Sequence, residues 1–294
     1  MHKFSSIRKG NHLWFLFTLS FIEFVRGKLP FFDNPEDKIA KYWENPSKSD
    51  ILEKADKLFE EDKHMEVYES LNRIKYSKDI EVVWRLAKAL YNLSLTPDIT
   101  AEVRKEMITE AQEILESTYA MGKNKSCFYK WMAIITNTRN GLENLETKIK
   151  GYATVKNYLS EACERNPRDF TVQYMLGRWH FEMANLSWFQ RKIAKYLYLE
   201  PPKSTFQEAY RHHIKAEELE PRSYLPNLYI LGCICMKLGQ YYRAKYYLNL
   251  ALSLPAHNEC EKCCIPGVKS LLTKLEKYDL GKDVLYNYEF GFEN

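Results

Sequence analysis

Three alanines, Ala162, Ala216 and Ala251, occupy equivalent places in three similar stretches, and their spacing constrains the fold more than any other feature of the chain. Ala216 and Ala251 are 35 residues apart. Ala162 and Ala216 are 54 apart, which is one period plus an insertion of about 20 residues, since ~34 is the repeat length of stacked helix-turn-helix units. Antiparallel helices approach closely only where the facing side chains are short, so small residues recurring at this period predict packed helix pairs. Such pairs stack into a solenoid in which each unit touches only its neighbours and one concave surface is left for binding. The first expectation is a binding scaffold, not an enzyme.

The most regular stretch reads YILGCICMKLGQYYRAKYYLNLALSLP from Tyr229 to Pro255. It closely resembles a tetratricopeptide (TPR) unit, with Leu231-Gly232 in a first helix, Leu238-Gly239 at the turn, then Ala244, Ala251 and a closing Pro255. The expected fold is all-α: a TPR-like right-handed solenoid of antiparallel helix pairs with one inserted helix or loop and a C-terminal capping helix. Composition agrees. An aromatic content of 14% argues against disorder, and only 11 glycines is few for a barrel, sandwich or doubly wound sheet. A net charge of +4 does not by itself indicate nucleic acid, and none is expected as a partner. Seven cysteines give no pairing framework in a chain this large and read as reduced thiols of a cytosolic protein. The sequons at Asn92, Asn124 and Asn185 would matter only in a secreted protein.

Residues 1–28 form a targeting, anchoring or disordered segment. Lys3, Arg8 and Lys9 precede an apolar run from Leu13 to Ile22 that Glu23 interrupts. The run falls short of the ~20 residues that span a bilayer, and no clear small-x-small cleavage site follows it. The segment fits a mitochondrial presequence or a short membrane anchor, or else an untethered tail. Pro30, Pro35 and Pro46 mark residues 29–49 as a linker. Within it, Pro30 to Glu36 partly resembles the two-phenylalanine motif that recruits endoplasmic reticulum receptors, with Asn34 where alanine is usual.

From residue 50 to about 280 the pattern is helical. Ile51, Leu52, Ala55, Leu58 and Phe59 form a buried stripe at helical spacing, with Ser49-Asp50 as its cap, and a partner helix follows around Glu66 to Ile74. Trp84, Ala87, Leu90 and Tyr91 open a second pair that closes with a helix from Ala101 to Tyr119. The third pair runs Phe128 to Thr138 and Leu145 to Arg165. The fourth begins at Thr171, is broken by an insertion at about 187–205, and resumes with Phe206, Ala209 and Ala216. After the fifth pair, Val268 to Tyr278 would cap the open end. Residues 281–294 make an aromatic tail.

The stretch from Leu176 to Pro221 carries Gly177-Arg178-Trp179, Leu186-Ser187-Trp188, Arg191-Lys192, Pro201-Pro202 with Ser204-Thr205, and Lys215-Ala216-Glu217-Glu218-Leu219. With Trp84-Arg85-Leu86-Ala87 and Lys130-Trp131 upstream, it resembles the regulator of microtubule dynamics family over roughly residues 50 to 255. The resemblance implies microtubule association and spindle behaviour through a TPR-like domain, hence a cytoplasmic, cytoskeletal location. Some relatives carry N-terminal membrane or mitochondrial segments. The resemblance therefore also implies an alternative: an organelle-contact protein at mitochondrion or endoplasmic reticulum, with the N-terminus or groove taking a membrane or lipid.

In TPR domains the ligand contacts come from the first helix of each pair. That mapping gives Arg85, Lys130 and Arg178 as groove cations with Tyr174 and Tyr229 beside them. A basic, aromatic-lined groove suits an acidic extended peptide, because guanidinium takes carboxylates in bidentate geometry; acidic tubulin tails are one such ligand. If the three cations only line the groove, reversing them to Glu should remove acidic-peptide binding with little change in stability. Asn92 and Asn137 follow Arg85 and Lys130 by seven residues, but a full carboxylate clamp is absent. The insertion offers a second basic surface, Arg191, Lys192, Lys195 and Lys203, interleaved with Trp188, Tyr196 and Tyr198. The competing expectation is that Trp188, Ile193 and Leu197 pack the inserted helix onto the repeats. His257, Cys260, Cys263 and Cys264 form one soft-ligand cluster, expected in a loop, but a single C-x-x-C without a second pair does not make a zinc site, so no metal or cofactor is expected. His213 takes a position usually held by a core aromatic, so packing is expected of it. No phosphate-binding glycine loop, H-E-x-x-H or nucleophile turn occurs. A monomeric, non-enzymatic scaffold is expected.

Overall fold

The computed structural model describes residues 47–196 and 202–278. The segment 1–28, the linker up to residue 46 and the tail 281–294 lie outside the described residues, and contacts group residues 1–51 apart from 52–294. No strand occurs among the described residues. The helices are α1 (Lys48–Glu60), α2 (His64–Asn72), α3 (Ile80–Ser94), α4 (Ala101–Ser117), the short α5 (Tyr119–Gly122), α6 (Ser126–Leu142), α7 (Leu145–Arg165), α8 (Phe170–Ala184), α9 (Trp188–Tyr196), α10 (Phe206–Leu219), α11 (Leu225–Lys237), α12 (Tyr241–Ser253) and α13 (Glu259–Leu275).

Helix starts follow from the side chains before them. Asp79, Thr100, Asn144, Asp169 and Asn258 each accept a hydrogen bond from a backbone N–H in the first turn, and Thr205 with Glu208 forms a full capping box. Each such cap contributes ~1 kcal/mol by satisfying donors the helix itself cannot. At α1 the cap is Ser47, two residues before the Ser49-Asp50 expectation. Ser47 N–H donates to Asp50 Oδ2 at 3.0 Å and Asp50 N–H donates to Ser47 Oγ at 3.3 Å. Gly239, at φ +71°, makes the α11–α12 turn that Leu238-Gly239 predicted.

The pairing order is that of TPR repeats. α3 packs on α4, α6 on α7, α8 on α10 across the insertion, and α11 on α12. Each second helix also touches the next first helix, and first helices touch one another at α3–α6, α8–α11 and α11–α13. Successive second helices touch one another less among the described residues. A stack whose first helices lie closer together than its second helices curves towards the first helices, which therefore line the concave side.

Ala162, Ala216 and Ala251 are all fully buried, as are Ala209 and Ala244. The repeat is clearest at two glycines. A Cβ built at Gly232 would sit 2.6 Å from Leu248 Cδ2, and one at Gly177 would sit 2.7 Å from His213 Cδ2. Leu248 and His213 are 35 residues apart, so the same contact is made twice, once by an aliphatic side chain and once by an imidazole.

One sequence expectation is corrected. The final helix begins at Glu259, not near Val268, and runs through Pro266. Proline removes one backbone donor, yet the Asn258 cap and burial of Val268 and Leu275 carry the helix past it. His257 therefore sits just before α13, and Cys260, Cys263 and Cys264 lie on its first turns rather than in a loop. Gly267 gives Tyr229 room to pack against this helix, because a Cβ there would collide with the Tyr229 hydroxyl.

Candidate functional site

Arg85 lies on α3 with its side chain only 12% exposed. Its Nε and Nη2 donate to the two carboxylate oxygens of Asp56 on α1, both at 2.7 Å. Its Nη1 donates to the Glu81 carbonyl and to Glu81 Oε2, both at 3.0 Å, and the guanidinium lies 4.2 Å from the Trp84 ring centre. Burial pushes the Glu81 carboxyl up, but hydrogen bonds from Trp84, Arg85 and Lys125 outweigh it and hold that group below the ordinary range.

Lys130, on α6, donates to Asp169 Oδ2 at 2.7 Å. Asp169 also caps α8, its Oδ1 accepting from Val172 N–H at 3.1 Å. Two of the three cations expected in the groove are thus met by carboxylates from outside their own helices. Between them stands a residue that the motif mapping missed. Lys88, one turn after Arg85, places its ammonium 3.9 Å from the Phe59 ring centre and meets no carboxylate at ion-pair distance among the described residues. Burial lowers its pKa, Asp56 opposes, and the charges of Lys130 and Arg85 add to the lowering. These three cations share one electrostatic neighbourhood. The i, i+3 spacing from Arg85 was the sequence signal.

Arg178, on α8, differs. Its side chain is 52% exposed and its Nε donates to Glu182 Oε1 at 3.0 Å along the helix. Although solvent reaches half of it, burial is the largest influence on its ionisation, opposed and outweighed by Tyr174 and Glu182, which raise its pKa. With half of the side chain in water, solvent screens much of its charge. Its charge reaches Tyr174 on the same helix, Tyr224 before α11, Tyr91 on α3 and Cys264 on α13.

The two expected aromatics are engaged inside the protein. Tyr174 is buried, stacked on Phe170 at 6.3 Å and edge-on to Tyr224 at 5.0 Å. Tyr229 is half-buried against α13, its hydroxyl pushed up to about 12 by burial and by Cys233. Three histidines lie on α8 and α10. His213 is fully buried, its Nδ1 2.7 Å from Asn227 Oδ1, while Asn227 Nδ2 donates to the His213 carbonyl and to Glu217. With Asn227 Oδ1 accepting, Nδ1 carries the proton, and burial holds the ring neutral at a pKa of about 4. His180 and His212 stack at 5.3 Å, His180 Nδ1 meeting Ser204 Oγ and His212 Nδ1 meeting Gln173 Oε1.

The insertion presents the opposite arrangement. On α9, Trp188 is 72% and Tyr196 84% exposed, so Trp188 does not pack the insertion onto the repeats. The Ile193 side chain and Leu197 lie outside the described residues. Arg191 Nη2 donates to the Met183 carbonyl at 2.8 Å and holds α9 to the end of α8. Lys192 lies 4.9 Å from the Trp188 ring centre, and Lys195 and Lys203 are exposed. At α13, Cys264 Sγ is 3.4 Å from the Cys260 carbonyl and His257 N–H donates to Glu261. No group of three or more His, Cys, Asp or Glu among the described residues is arranged to hold a metal ion.

Comparison with known proteins now adds the family. The model for "Regulator of microtubule dynamics protein 1-3" matches residues 51–276. Regulator of microtubule dynamics protein 1 of Mus musculus is 34% identical over 77% of this chain and 74% of its own. The Bos taurus protein of the same name is 33% identical over 72% and 67%. Regulator of microtubule dynamics protein 3 of Xenopus laevis is 32% identical over 63% of this chain and 40% of its own. A thermophilic TPR protein of Thermus thermophilus aligns with a TM-score of 0.49 at 14% identity, over 76% of this chain and 98% of that one. The TPR character of the present chain rests on its own helix order and on the Gly177 and Gly232 contacts.

Proposed function

Because this chain belongs to the regulator of microtubule dynamics family, we propose that it is a non-catalytic scaffold that associates with microtubules and alters their dynamics by holding acidic segments of its partner, tubulin tails among them. The observation that carries this reading is that the family match, residues 51–276, coincides with the stacked helix pairs, whose first helices carry Arg178 and Lys88. Arg178 is the groove cation best suited to an incoming carboxylate. Its partner Glu182 is half-exposed and bound through Nε, and the hydroxyls of Tyr174 and Tyr224 stand in its field. Arg85 and Lys130 act at a distance, as part of a positive neighbourhood already ordered by Asp56 and Asp169. A cytoskeleton-associated location goes with this role.

Co-sedimentation with intact microtubules and with microtubules stripped of their acidic tails tests it at rising salt. Binding should fall without the tails and weaken as salt screens exposed charge. Equal sedimentation of both preparations, insensitive to salt, would reject the charge-based mode.

A further inference from the structure

We propose that the outer face of α9, formed by Trp188, Lys192, Lys195 and Tyr196, is a docking surface for an extended acidic peptide segment. This rests on the reading above for the identity of the partner and adds a site separate from Arg178. The four residues lie at i, i+4, i+7 and i+8, which places them on one face of the helix. All four are exposed, and neither lysine meets a carboxylate among the described residues. From Asn185 to Leu199 the sequence carries Arg191, Lys192 and Lys195 and no acidic residue. Arg191 points back to Met183, so the helix is tethered on one side and its aromatic face is turned outward.

A tryptophan and a tyrosine two turns apart on one helix face, both in water, forgo burial that the rest of the chain secures for residues such as Phe128 and Trp131. Exposed aromatic clusters of this kind mark contact surfaces, and the two lysines between the rings fix the charge of what they contact. An extended peptide repeats its side chains on one side every two residues, at roughly 6.5–7 Å. Helical positions three apart have Cβ atoms ~5–6 Å apart, so carboxylates on alternate residues reach the Lys192 and Lys195 ammoniums together, with Trp188 and Tyr196 flanking the peptide. A bilayer is the poorer fit. A membrane-surface helix buries a continuous apolar face, whereas here two lysines interrupt the aromatic pair on a helix of nine residues.

The test uses the full chain, a fluorescent peptide of alternating Glu and Gly, phosphatidylserine vesicles, and microtubules with and without tails. K192E/K195E and W188S should each weaken peptide binding, the double charge reversal by about tenfold or more, while circular dichroism and melting stay as in the parent. R178E should leave a substantial part of the binding. Peptide affinity unchanged in K192E/K195E, or affinity for the vesicles but not the peptide, overturns the assignment. The two readings separate cleanly. If K192E/K195E loses peptide binding while tailed and tailless microtubules sediment alike, the α9 site stands and the tubulin-tail role falls. If tail-dependent sedimentation and peptide binding both survive K192E/K195E, the α9 site falls and the tubulin-tail role stands.

Discussion

The neighbourhood of Arg85 and Lys130 on α3 and α6 and the outer face of α9 are both basic, and they use their cations in opposite ways. Arg85 is held by two carboxylates and an indole, and Lys130 by a carboxylate that also caps the next first helix. Those side chains stitch α1 to α3 and α6 to α8. Lys192 and Lys195 stitch nothing among the described residues. The same residue types at the same helical spacing are structural in one place and available in the other, and what separates them is whether an acidic residue from a neighbouring helix arrives within reach.

The largest effect is expected where that comparison is most easily broken. Arg85→Glu places three carboxylates together in a half-buried site and removes the bidentate bond to Asp56. Asp56 is half exposed, which limits the penalty, so a loss of roughly 2–3 kcal/mol is expected rather than the full cost of breaking a buried pair. For the whole helical domain of residues 51–276 that is a fall in Tm of about 5–10 °C. The expectation that reversing the groove cations leaves stability untouched therefore does not hold for Arg85. Thermal unfolding followed by circular dichroism checks this, and an unchanged Tm would show that the Asp56 contact contributes nothing. Lys130→Ala should cost less, because Asp169 keeps its bond to Val172 N–H without the lysine.

The two glycine contacts offer a finer comparison. Gly232→Ala meets Leu248, an aliphatic side chain able to shift rotamer, and the better helix propensity of alanine offsets part of the cost. Gly177→Ala meets His213, whose ring is fixed by Asn227 and buried on all sides. We expect Gly177→Ala to destabilise by about 2 kcal/mol and Gly232→Ala by about half that. Chemical denaturation of the two variants gives the order. The reverse order would mean that the imidazole yields more easily than the leucine.

The imidazole at that contact also has a pH signature that leucine lacks. His213 has a folded pKa of about 4 against an ordinary value of 6.5, so the unfolded chain takes up a proton that the folded chain refuses. Stability from this group is complete above about pH 6.5 and is lost as pH falls towards 4. His212, pushed down to about 4 by burial and then by His180, adds in the same direction, and so does His180. Melting should fall on going from neutral pH to about pH 5, and His213→Leu should flatten that slope. Its baseline stability should drop, because Asn227 Oδ1 loses its donor.

These contrasts mark what the sequence could reveal. Gly232, Ala244 and Ala251 recur with Gly177, Ala209 and Ala216 because the steric demand of helix contact repeats, and a repeated demand leaves a periodic trace. The start of α13 left none, since Pro266-Gly267 reads as a breaker while the Asn258 cap and the burial of Val268 depend on α11 and α12. Trp188 was misleading for a related reason. An apolar residue on an amphipathic helix points inward only if another helix lies beneath it, which sequence does not record. Asp56 and Asp169 lie 29 and 39 residues from the cations they neutralise, too far for local pattern to pair them, and Lys88 went unnoticed because its partner is the face of Phe59.

The smallest effect on stability is expected at α9, and its smallness is informative. Among the described residues Lys195 meets no carboxylate, and the contact Lys192 would lose is an exposed one with Trp188, worth less than ~1 kcal/mol. K192E/K195E should therefore melt within a degree or two of the parent, while Arg85→Glu falls well below it. If the double variant lost as much stability as Arg85→Glu, the lysines would be holding α9 against the repeats, and the distinction between cations that build the scaffold and cations left for a partner would fail. If it melts like the parent and yet sediments poorly with tailed microtubules, its two ammoniums have no structural task, and the lost affinity belongs to the surface itself.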